Sequence, residues 1–157
     1  MIRPTIAGDF PALIALADGT GVFKPPEITA LQEVLDDWLS HNQALGHRCV
    51  TSQRDGEVIG FAYYAPAAMT DRTWYLYWIA VSKRAQTKGL GGEMLRFLEH
   101  EIRQAQGRML LIETSSLEHY ESTRRFYLKH DYEHATRIDD YYAEGDHLEL
   151  FRKRFRY

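Results

Sequence analysis

The chain has 157 residues, of which 45% are hydrophobic and 26% charged, a composition that predicts one folded domain spanning residues 1–157. Its net charge of −3 argues against a general nucleic-acid-binding surface or a surface that binds anionic membranes. Its single cysteine, Cys49, excludes an internal disulfide, and the lack of an apolar leader or of an apolar run of about 18 residues predicts a cytoplasmic protein that spans no membrane.

Two helices are predicted near the N-terminus. The first follows Asp9, which we expect to cap it, with Pro11 in its first turn. The second opens at Pro26 and Glu27. The apolar residues at helical spacing are Phe10, Leu13, Ile14 and Ala17 in the first helix and Ile28, Leu31, Leu35, Trp38 and Leu39 in the second.

Three strands are predicted next. Residues 48–52 and 58–65 read as a pair of strands joined by a turn, because the Asp55-Gly56 step tolerates the left-handed backbone of a tight hairpin. Residues 74–81 are almost all apolar or aromatic, which is typical of a central strand buried on both faces.

The second half of the chain alternates helices and strands. We expect helices over residues 89–104 and 117–130, a buried strand over 109–114, and two closing strands over 132–138 and 147–155. The apolar face of the first of these helices carries Leu90, Met94, Leu98 and Ile102. The order β-α-α-β-β-β-α-β-α-β-β predicts a mixed sheet with helices on its faces, α/β or α+β by class.

A glycine-rich segment separates the central strand from the next helix. Gly89, Gly91 and Gly92 open that helix, where free backbone N–H groups attract anions and glycine lets a phosphate approach the backbone. The cationic residues nearby are Lys83, Arg84 and Lys88. A pyrophosphate site is one interpretation, and close helix packing is the better one for the glycines alone. Full P-loop and dinucleotide patterns are absent.

Three segments together resemble the GNAT family of N-acetyltransferases. Residues 86–91, Gln-Thr-Lys-Gly-Leu-Gly, match the family's Q/R-x-x-G-x-G/A signature, and residues 77–81 resemble the strand that precedes it. Residues 126–132, Phe-Tyr-Leu-Lys-His-Asp-Tyr, resemble the family's F-Y-x-K-x-G-F segment. The resemblance covers most of the chain and implies a mixed, mostly antiparallel central sheet flanked by helices.

The resemblance implies a binding site for acetyl-CoA as co-substrate. The residues it implies are Ile79, Ala80 and Val81 for the pantetheine arm, and Gln86, Thr87, Lys88, Gly89, Leu90, Gly91 and Gly92 for the pyrophosphate. Thr87 and Asp131 stand where many members have glycine, so the phosphate approach and the turn after the last helix are expected to differ. Dimers are common in the family, and a homodimer is compatible with the resemblance.

Transfer of an acetyl group needs a polarised thioester and a protonated leaving group. Strand N–H groups near Ala80 and Val81 are candidates to stabilise the developing oxyanion. Tyr127 matches the family tyrosine that protonates the departing thiolate. Without the resemblance, a core aromatic on an amphipathic helix is the better interpretation of Tyr127.

The acceptor amine must also lose a proton, and the sequence offers two candidate bases. Glu113 ends a buried strand, where α/β sites usually form, and could act through a water; ordering of the following loop is an equally good interpretation. His119 is a weaker candidate. Residues 74–81 contain no carboxylate, although many family members place a base there. No metal site is predicted, since a strand should begin between His130 and His134.

Two segments are candidates for the acceptor pocket. Phe23 and Glu27 lie in the connection between the first two helices, which the resemblance places over the substrate. Asp140 and Tyr141 lie in an acidic, aromatic segment, residues 139–146, that suits a cationic amine and also reads as a hairpin loop turning at Gly145.

These observations predict an enzyme that transfers an acetyl group from acetyl-CoA to a primary amine of a small molecule or peptide, by direct attack in a ternary complex. A non-catalytic module that binds acyl-CoA as a sensor is the alternative, favoured slightly by the missing carboxylate. A nucleotide-binding protein is disfavoured because the required lysine and acidic signatures are absent.

Overall fold

The computed structural model describes residues 1–157, apart from the side chains of Thr87 and Lys88. Seven strands and four α-helices follow the predicted order. They are β1 (Ile2–Pro4), α1 (Phe10–Gly19), α2 (Pro25–Ser40), β2 (Arg48–Arg54), β3 (Glu57–Pro66), β4 (Thr73–Val81), α3 (Leu90–Gln104), β5 (Met109–Ser115), α4 (Glu121–Lys129), β6 (Glu133–Ala143) and β7 (Asp146–Arg154).

The strands form one sheet in the order β1-β2-β3-β4-β5-β7-β6. Every neighbouring pair is antiparallel except β4 and β5, which run parallel and are connected through α3. The predicted fold class, a mixed and mostly antiparallel sheet flanked by helices, is therefore confirmed.

The parallel pair comes apart halfway along β4. Pairing between β4 and β5 covers Thr73–Leu76 and Met109–Ile112 and then stops. Beyond this point β4 stays paired with β3 as far as Val81, whereas β5 stays paired with β7 as far as Ser115. The sheet therefore contains a V-shaped gap, and β4 presents one edge of its backbone to that gap.

A β-bulge lies at the start of the gap. Tyr63 of β3 pairs with Trp78, and Tyr64 pairs with Leu76, so Tyr77 is an extra residue on β4. A bulge bends the strand that carries it and strengthens its twist. The bulge thus bends β4 where it leaves β5.

The helices cover both faces of the sheet. On one face α3 buries Leu90, Met94, Leu98 and Ile102, which confirms the predicted apolar stripe. On the other face α1 and α2 bury Leu13, Ala17, Leu31, Leu35 and Trp38. Leu39 was expected to share this stripe and does not, since it is 51% exposed. No helix in the described part of the chain is both long and apolar enough to cross a membrane.

Two local predictions are wrong. The carboxylate of Asp9 does not cap α1; it accepts hydrogen bonds from the Arg3 guanidinium at 2.8 and 2.9 Å and from the Ile6 N–H at 2.9 Å. Residues 117–130 do not form one helix, because a 3₁₀ turn, Glu118–Tyr120, precedes α4.

The acidic segment 139–146 is also mostly strand rather than loop. β6 continues to Ala143, and Asp146 is already the first residue of β7. The ladder between them is irregular from Ile138 to Ala143, and Asp140 has a φ of 57° within this irregular stretch. The turn itself lies at residues 144–145, where Gly145 adopts a φ of 82°, as expected for the predicted glycine turn.

Candidate active site

Two connected cavities fill the gap between β4 and β5. The larger cavity has a volume of about 480 Å³ and the smaller cavity about 180 Å³. The residues that line both are Phe23, Leu76, Tyr77, Trp78, Glu113, Thr114 and Tyr120. A ligand in one cavity can therefore touch a ligand in the other.

The smaller cavity brings together the predicted donor-site residues of the strand and of α4. Its lining includes Ile79, Ala80 and Val81 of β4, together with Gln86 and Tyr127. Gln86 donates a hydrogen bond from Nε2 to the carbonyl of Val81 at 3.1 Å, so its side chain ties the glycine-rich segment to the end of β4.

The N-terminus of α3 follows directly. A 3₁₀ turn, Lys83–Lys88, ends at Gly89, whose φ of 74° and ψ of 12° are in the left-handed region that glycine favours. Because Gly89 is the N-cap residue, it supplies no side chain to the first N–H groups of α3, starting at Leu90. This end of the helix therefore presents backbone donors suited to an anion. The predicted contributions of the Thr87 and Lys88 side chains lie outside the described residues.

The other two glycines of the segment also have packing roles. A Cβ on Gly92 would lie 2.8 Å from Cε1 of His130, and one on Gly91 would lie 3.4 Å from the ring of Phe126. Both neighbours belong to the end of α4 and its C-terminal junction. Close helix packing, the alternative interpretation of the sequence, therefore accounts for Gly92, whereas Gly89 is explained by its backbone conformation.

Tyr127 lies at the inner wall of the smaller cavity. It is 3% exposed, and its ring contacts those of Phe126, Tyr132 and Phe151 at centroid distances of 5.4, 5.9 and 5.8 Å. Burial raises the pKa of the Tyr127 hydroxyl, so the phenol stays protonated at neutral pH. The side chain is thus a core aromatic that also lines the cavity, so its position is compatible with both interpretations of the sequence.

Glu113 lies where the two strands separate. It is the first residue of β5 beyond the pairing with β4, and it lines both cavities. Desolvation raises the pKa of its carboxyl group above the ordinary glutamate value. A carboxylate with a raised pKa at the junction of two cavities is suited to accept a proton. The weaker candidate, His119, lines the larger cavity only, and its ring centroid lies 4.5 Å from that of Tyr120.

The connection between α1 and α2 covers the larger cavity as expected. Phe23 and Glu27 both line it, and the Phe23 ring lies 5.3 Å from that of Trp78. Glu27 also caps α2, since its Oε1 accepts a hydrogen bond from the Lys24 N–H at 3.0 Å.

The other two predicted acceptor residues do not line either cavity. Asp140 instead stabilises the β6–β7 hairpin: its Oδ1 accepts a hydrogen bond from the Gly145 N–H at 2.8 Å, and its own N–H donates to Nδ1 of His147 at 2.8 Å. Tyr141 is 55% exposed and packs on Tyr142. The residues of this hairpin that do reach the larger cavity are Tyr142 and Asp146.

Several aromatic and acidic residues of the larger cavity were not singled out from the sequence as site residues, although the last two of them lie in the candidate segment 139–146. They are Tyr75, Tyr77, Trp78, Tyr120, Tyr142 and Asp146. The rings of Tyr75 and Tyr77 stack with their centroids 5.4 Å apart, because alternate residues of a strand point to the same face. Their hydroxyl groups, in an otherwise apolar strand, could have indicated from the sequence that this face lines a site. The acidity of segment 139–146 was a signal for Asp146, but its burial depends on the pairing of β7 and could not be predicted.

Comparison with known proteins agrees with this geometry. The model of the acetyltransferase (GNAT) domain matches residues 46–134. No curated protein matches the chain by sequence. A crystal structure of a GNAT-family protein from Desulfovibrio desulfuricans is 33% identical, covers 98% of both chains and superposes with a TM-score of 0.94.

More distant structures share the fold. A ribosomal-protein-alanine N-acetyltransferase from Brucella melitensis is 20% identical over 99% of both chains, with a TM-score of 0.81. An aminoglycoside 6'-N-acetyltransferase complexed with coenzyme A is 15% identical, covers 98% of this chain and 96% of its own, and has a TM-score of 0.78. With a family match over more than half of its length and a 33% identical relative along nearly all of it, the chain belongs to the GNAT family of acetyltransferases.

Proposed function

We propose that residues 1–157 form a single domain that transfers the acetyl group of acetyl-CoA to a primary amine of a small molecule or peptide, within a ternary complex. The observation that carries the proposal is the gap between β4 and β5, which joins an open strand edge, a helix N-terminus, Tyr127 and Glu113 in two connected cavities. Donor and acceptor can meet there without a covalent enzyme intermediate.

The smaller cavity is assigned to the donor. An extended pantetheine arm can pair with the exposed backbone edge of Ile79–Val81, as a peptide strand adds to a sheet edge. Its pyrophosphate then reaches the N–H groups that follow Gly89 at the start of α3. The aminoglycoside 6'-N-acetyltransferase complexed with coenzyme A supports a donor of this kind.

The larger cavity is assigned to the acceptor. The amine loses a proton to Glu113, directly or through a water, and its nitrogen attacks the thioester carbon. Backbone N–H groups near Ala80 stabilise the resulting oxyanion. The C–S bond then breaks, the electron pair leaves with sulfur, and the Tyr127 hydroxyl gives its proton to the thiolate. The Tyr127 phenolate recovers a proton from the amide nitrogen through solvent, Glu113 releases its proton to solvent, and the products are an amide and free coenzyme A.

The alternative of a non-catalytic sensor rested on the lack of a carboxylate on β4. Glu113 of β5 occupies the junction of the cavities and supplies a carboxylate from the neighbouring strand. This placement, together with membership of an acetyltransferase family, favours the enzyme.

Calorimetric titration with acetyl-CoA tests the donor site, with ATP and NAD as controls. We expect a Kd in the micromolar range for acetyl-CoA and no comparable binding of the other two. A thiol-release assay over a panel of amines then tests catalysis. Absence of acetyl-CoA binding would contradict the proposal at its first step, whereas binding without thiol release would favour the sensor.

A further inference from the structure

A buried carboxylate in the larger cavity lacks a cationic partner. Asp146 is 8% exposed, and its Oδ1 contacts the hydroxyl of Ser115. No arginine, lysine or histidine in the described part of the chain forms an ion pair with it. Buried charges are normally paired, since an unpaired ion loses its hydration without compensation. The missing partner of Asp146 can therefore come from a ligand.

The wall beside Asp146 contains a second buried polar group without a partner. Thr114 is 6% exposed and lines both cavities, and its Oγ1 has no hydrogen-bond partner among the residues that the structure describes. Lys24, at the exposed rim, is the one lysine or arginine among the described lining residues, compared with three carboxylates from Glu27, Glu113 and Asp146. The cavity therefore favours positive charge.

The three carboxylates reach the cavity from three different elements, Glu113 from β5, Asp146 from β7 and Glu27 from α2, and tyrosines that line the same cavity are affected by their charges. Burial raises the pKa of Tyr77, and the nearby charge of Glu113 raises it further. Burial also raises the pKa of Tyr142, with smaller contributions from Glu113 and Asp146.

A third tyrosine of the cavity is affected by the other pair of carboxylates. Burial, assisted by the charges of Glu27 and Asp146, raises the pKa of Tyr120 to about 12. The Ser115 hydroxyl that contacts Asp146 lies two residues beyond Glu113 on the same face of β5, and Glu27 lines the cavity from the start of α2. The tyrosines that line the same cavity have aromatic rings, which also attract cations.

We propose that the acceptor is an aliphatic amine with a second cationic group, which binds between Asp146 and Glu27 while the reacting amine lies at Glu113. This inference rests on the proposed function and specifies the substrate class of the same site. A volume of about 480 Å³ is within the range of pockets that hold whole small molecules and leaves room for such a chain. Amines with a neutral tail lack the second contact, and amino acids with a carboxylate tail are repelled.

Matched compounds test the class directly. Straight-chain diamines from 1,3-diaminopropane to 1,8-diaminooctane are each compared with the monoamine and the amino acid of the same length, by thiol release with acetyl-CoA. At the best length we expect kcat/KM for the diamine to exceed that for the monoamine by at least about tenfold, beyond the statistical advantage of two equivalent amines, because a partly buried ion pair is gained. The amino acid should be the poorest acceptor.

Two variants locate the second charge. Asp146→Asn retains an acceptor for the Ser115 hydroxyl, and Glu27→Gln retains an acceptor for the Lys24 N–H. Each should lower the diamine-to-monoamine ratio of kcat/KM, whereas Glu33→Gln, an exposed change on α2 outside the cavities, should leave it unchanged. If Asp146→Asn does not fold, Glu27→Gln alone tests where the second cationic group binds.

The outcomes separate the two proposals. Equal kcat/KM for diamine and monoamine at every length, with ratios unaffected by the variants, overturns the dicationic class and leaves acetyl transfer to amines intact. Thiol release from no compound by a protein that binds acetyl-CoA overturns the class and catalysis together. Failure to bind acetyl-CoA contradicts the proposed function itself.

Discussion

Leu76 of β4 pairs with Ile112 of β5, and this is the last parallel pair before the two strands separate. The next residues along each strand, Tyr77 and Glu113, face the shared mouth of the two cavities. Each strand keeps its other neighbour, so the gap does not unravel the sheet. It leaves main-chain donors and acceptors of β4 without a sheet partner on one side, and buried backbone groups are normally paired. A bound pantetheine arm would supply that pairing.

Tyr127→Phe should lower kcat by about 10²- to 10⁴-fold, the usual contribution of a positioned acid. The hydroxyl is the one atom removed, and the ring contacts with Tyr132 and Phe151 are retained. The Kd for acetyl-CoA should therefore change little. Steady-state kinetics and calorimetry on the same preparation measure both quantities.

Tyr132→Phe is the matched control for that experiment, because it removes the same atom from a neighbouring buried tyrosine outside the cavities. Its hydroxyl donates to Glu99 at 2.9 Å, so we expect a loss of about 1–3 kcal/mol in the free energy of unfolding and an unchanged kcat. A kcat for Tyr127→Phe equal to that of the wild type would remove Tyr127 from the mechanism.

Gly89→Ala should destabilise the protein by about 1–2 kcal/mol, the usual penalty for an L-residue in the left-handed region. The φ of 74° is the cause, since an added Cβ would meet no atom of the described part of the chain within 4 Å. Because Gly89 leads into the proposed pyrophosphate site, acetyl-CoA binding should weaken as well. Urea denaturation and calorimetry provide the two measurements.

Gly19→Ala gives the contrast. It also has open space around its Cβ position, but its backbone does not have a positive φ of this kind. We expect it to be neutral or to stabilise the protein by about 0.4–1 kcal/mol, through the unfolded state. Equal stability changes in the two variants would show that backbone conformation is not what selects glycine at residue 89.

Features set by residues close together in the sequence were predictable, whereas features set by residues far apart in the sequence were not. The order of elements and the apolar face of α3 follow from local periodicity, so they were predictable. The course of β6 was not, because its extension to Ala143 depends on pairing with β7 through an irregular ladder. Consequently Asp140 and Tyr141 were selected for the acceptor pocket, whereas Tyr142 and Asp146 line it.

The donor site was more accessible to prediction because it is built from one continuous segment. β4, the turn at Gln86 and the start of α3 follow one another in the chain, and a family signature marks them. The gap itself could not be predicted from the sequence. Residues 74–81 are apolar or aromatic throughout, and β4 loses its pairing with β5 after Leu76 without any change in composition.

Asp9→Asn should destabilise the protein at neutral pH by about 1.5–3 kcal/mol, the range for hydrogen bonds to charged groups. The hydrogen bond from Arg3 is the main cause of a lowered pKa for the Asp9 carboxyl. A lowered folded-state pKa contributes stability above the ordinary aspartate value, which is lost as the pH falls through the folded value. The difference between variant and wild type should therefore shrink as the pH falls below the ordinary aspartate pKa of about 3.9.

Urea denaturation at several pH values checks this expectation. Asp36→Asn, an exposed change on α2 without an ion pair among the described side chains, is the control and should have little effect at any pH. A destabilisation of Asp9→Asn that stays constant down to the lowest pH would mean that the carboxylate charge does not contribute.

Glu113→Gln tests the proposed base through its pH dependence. Desolvation raises the pKa of Glu113, so the wild-type kcat/KM should fall on the acidic side with an inflection above the ordinary glutamate value. The variant should lose that inflection, and kcat/KM near neutral pH should drop by about 10²- to 10⁴-fold. Glu118→Gln, outside both cavities, should retain the wild-type profile. An unchanged acidic limb in Glu113→Gln would move the assignment to His119.

The same shift predicts the opposite effect on stability. A folded-state pKa above the unfolded value contributes stability below the unfolded value, and that contribution is lost as the pH rises through the folded value. Ionised Glu113 therefore destabilises the wild type at neutral pH, and Glu113→Gln should have the higher Tm there and an equal Tm below the ordinary glutamate pKa. If Glu113 acts in catalysis, Glu113→Gln should be less active and more stable at neutral pH. If Glu113 only orders the following loop, the same substitution should lower the stability.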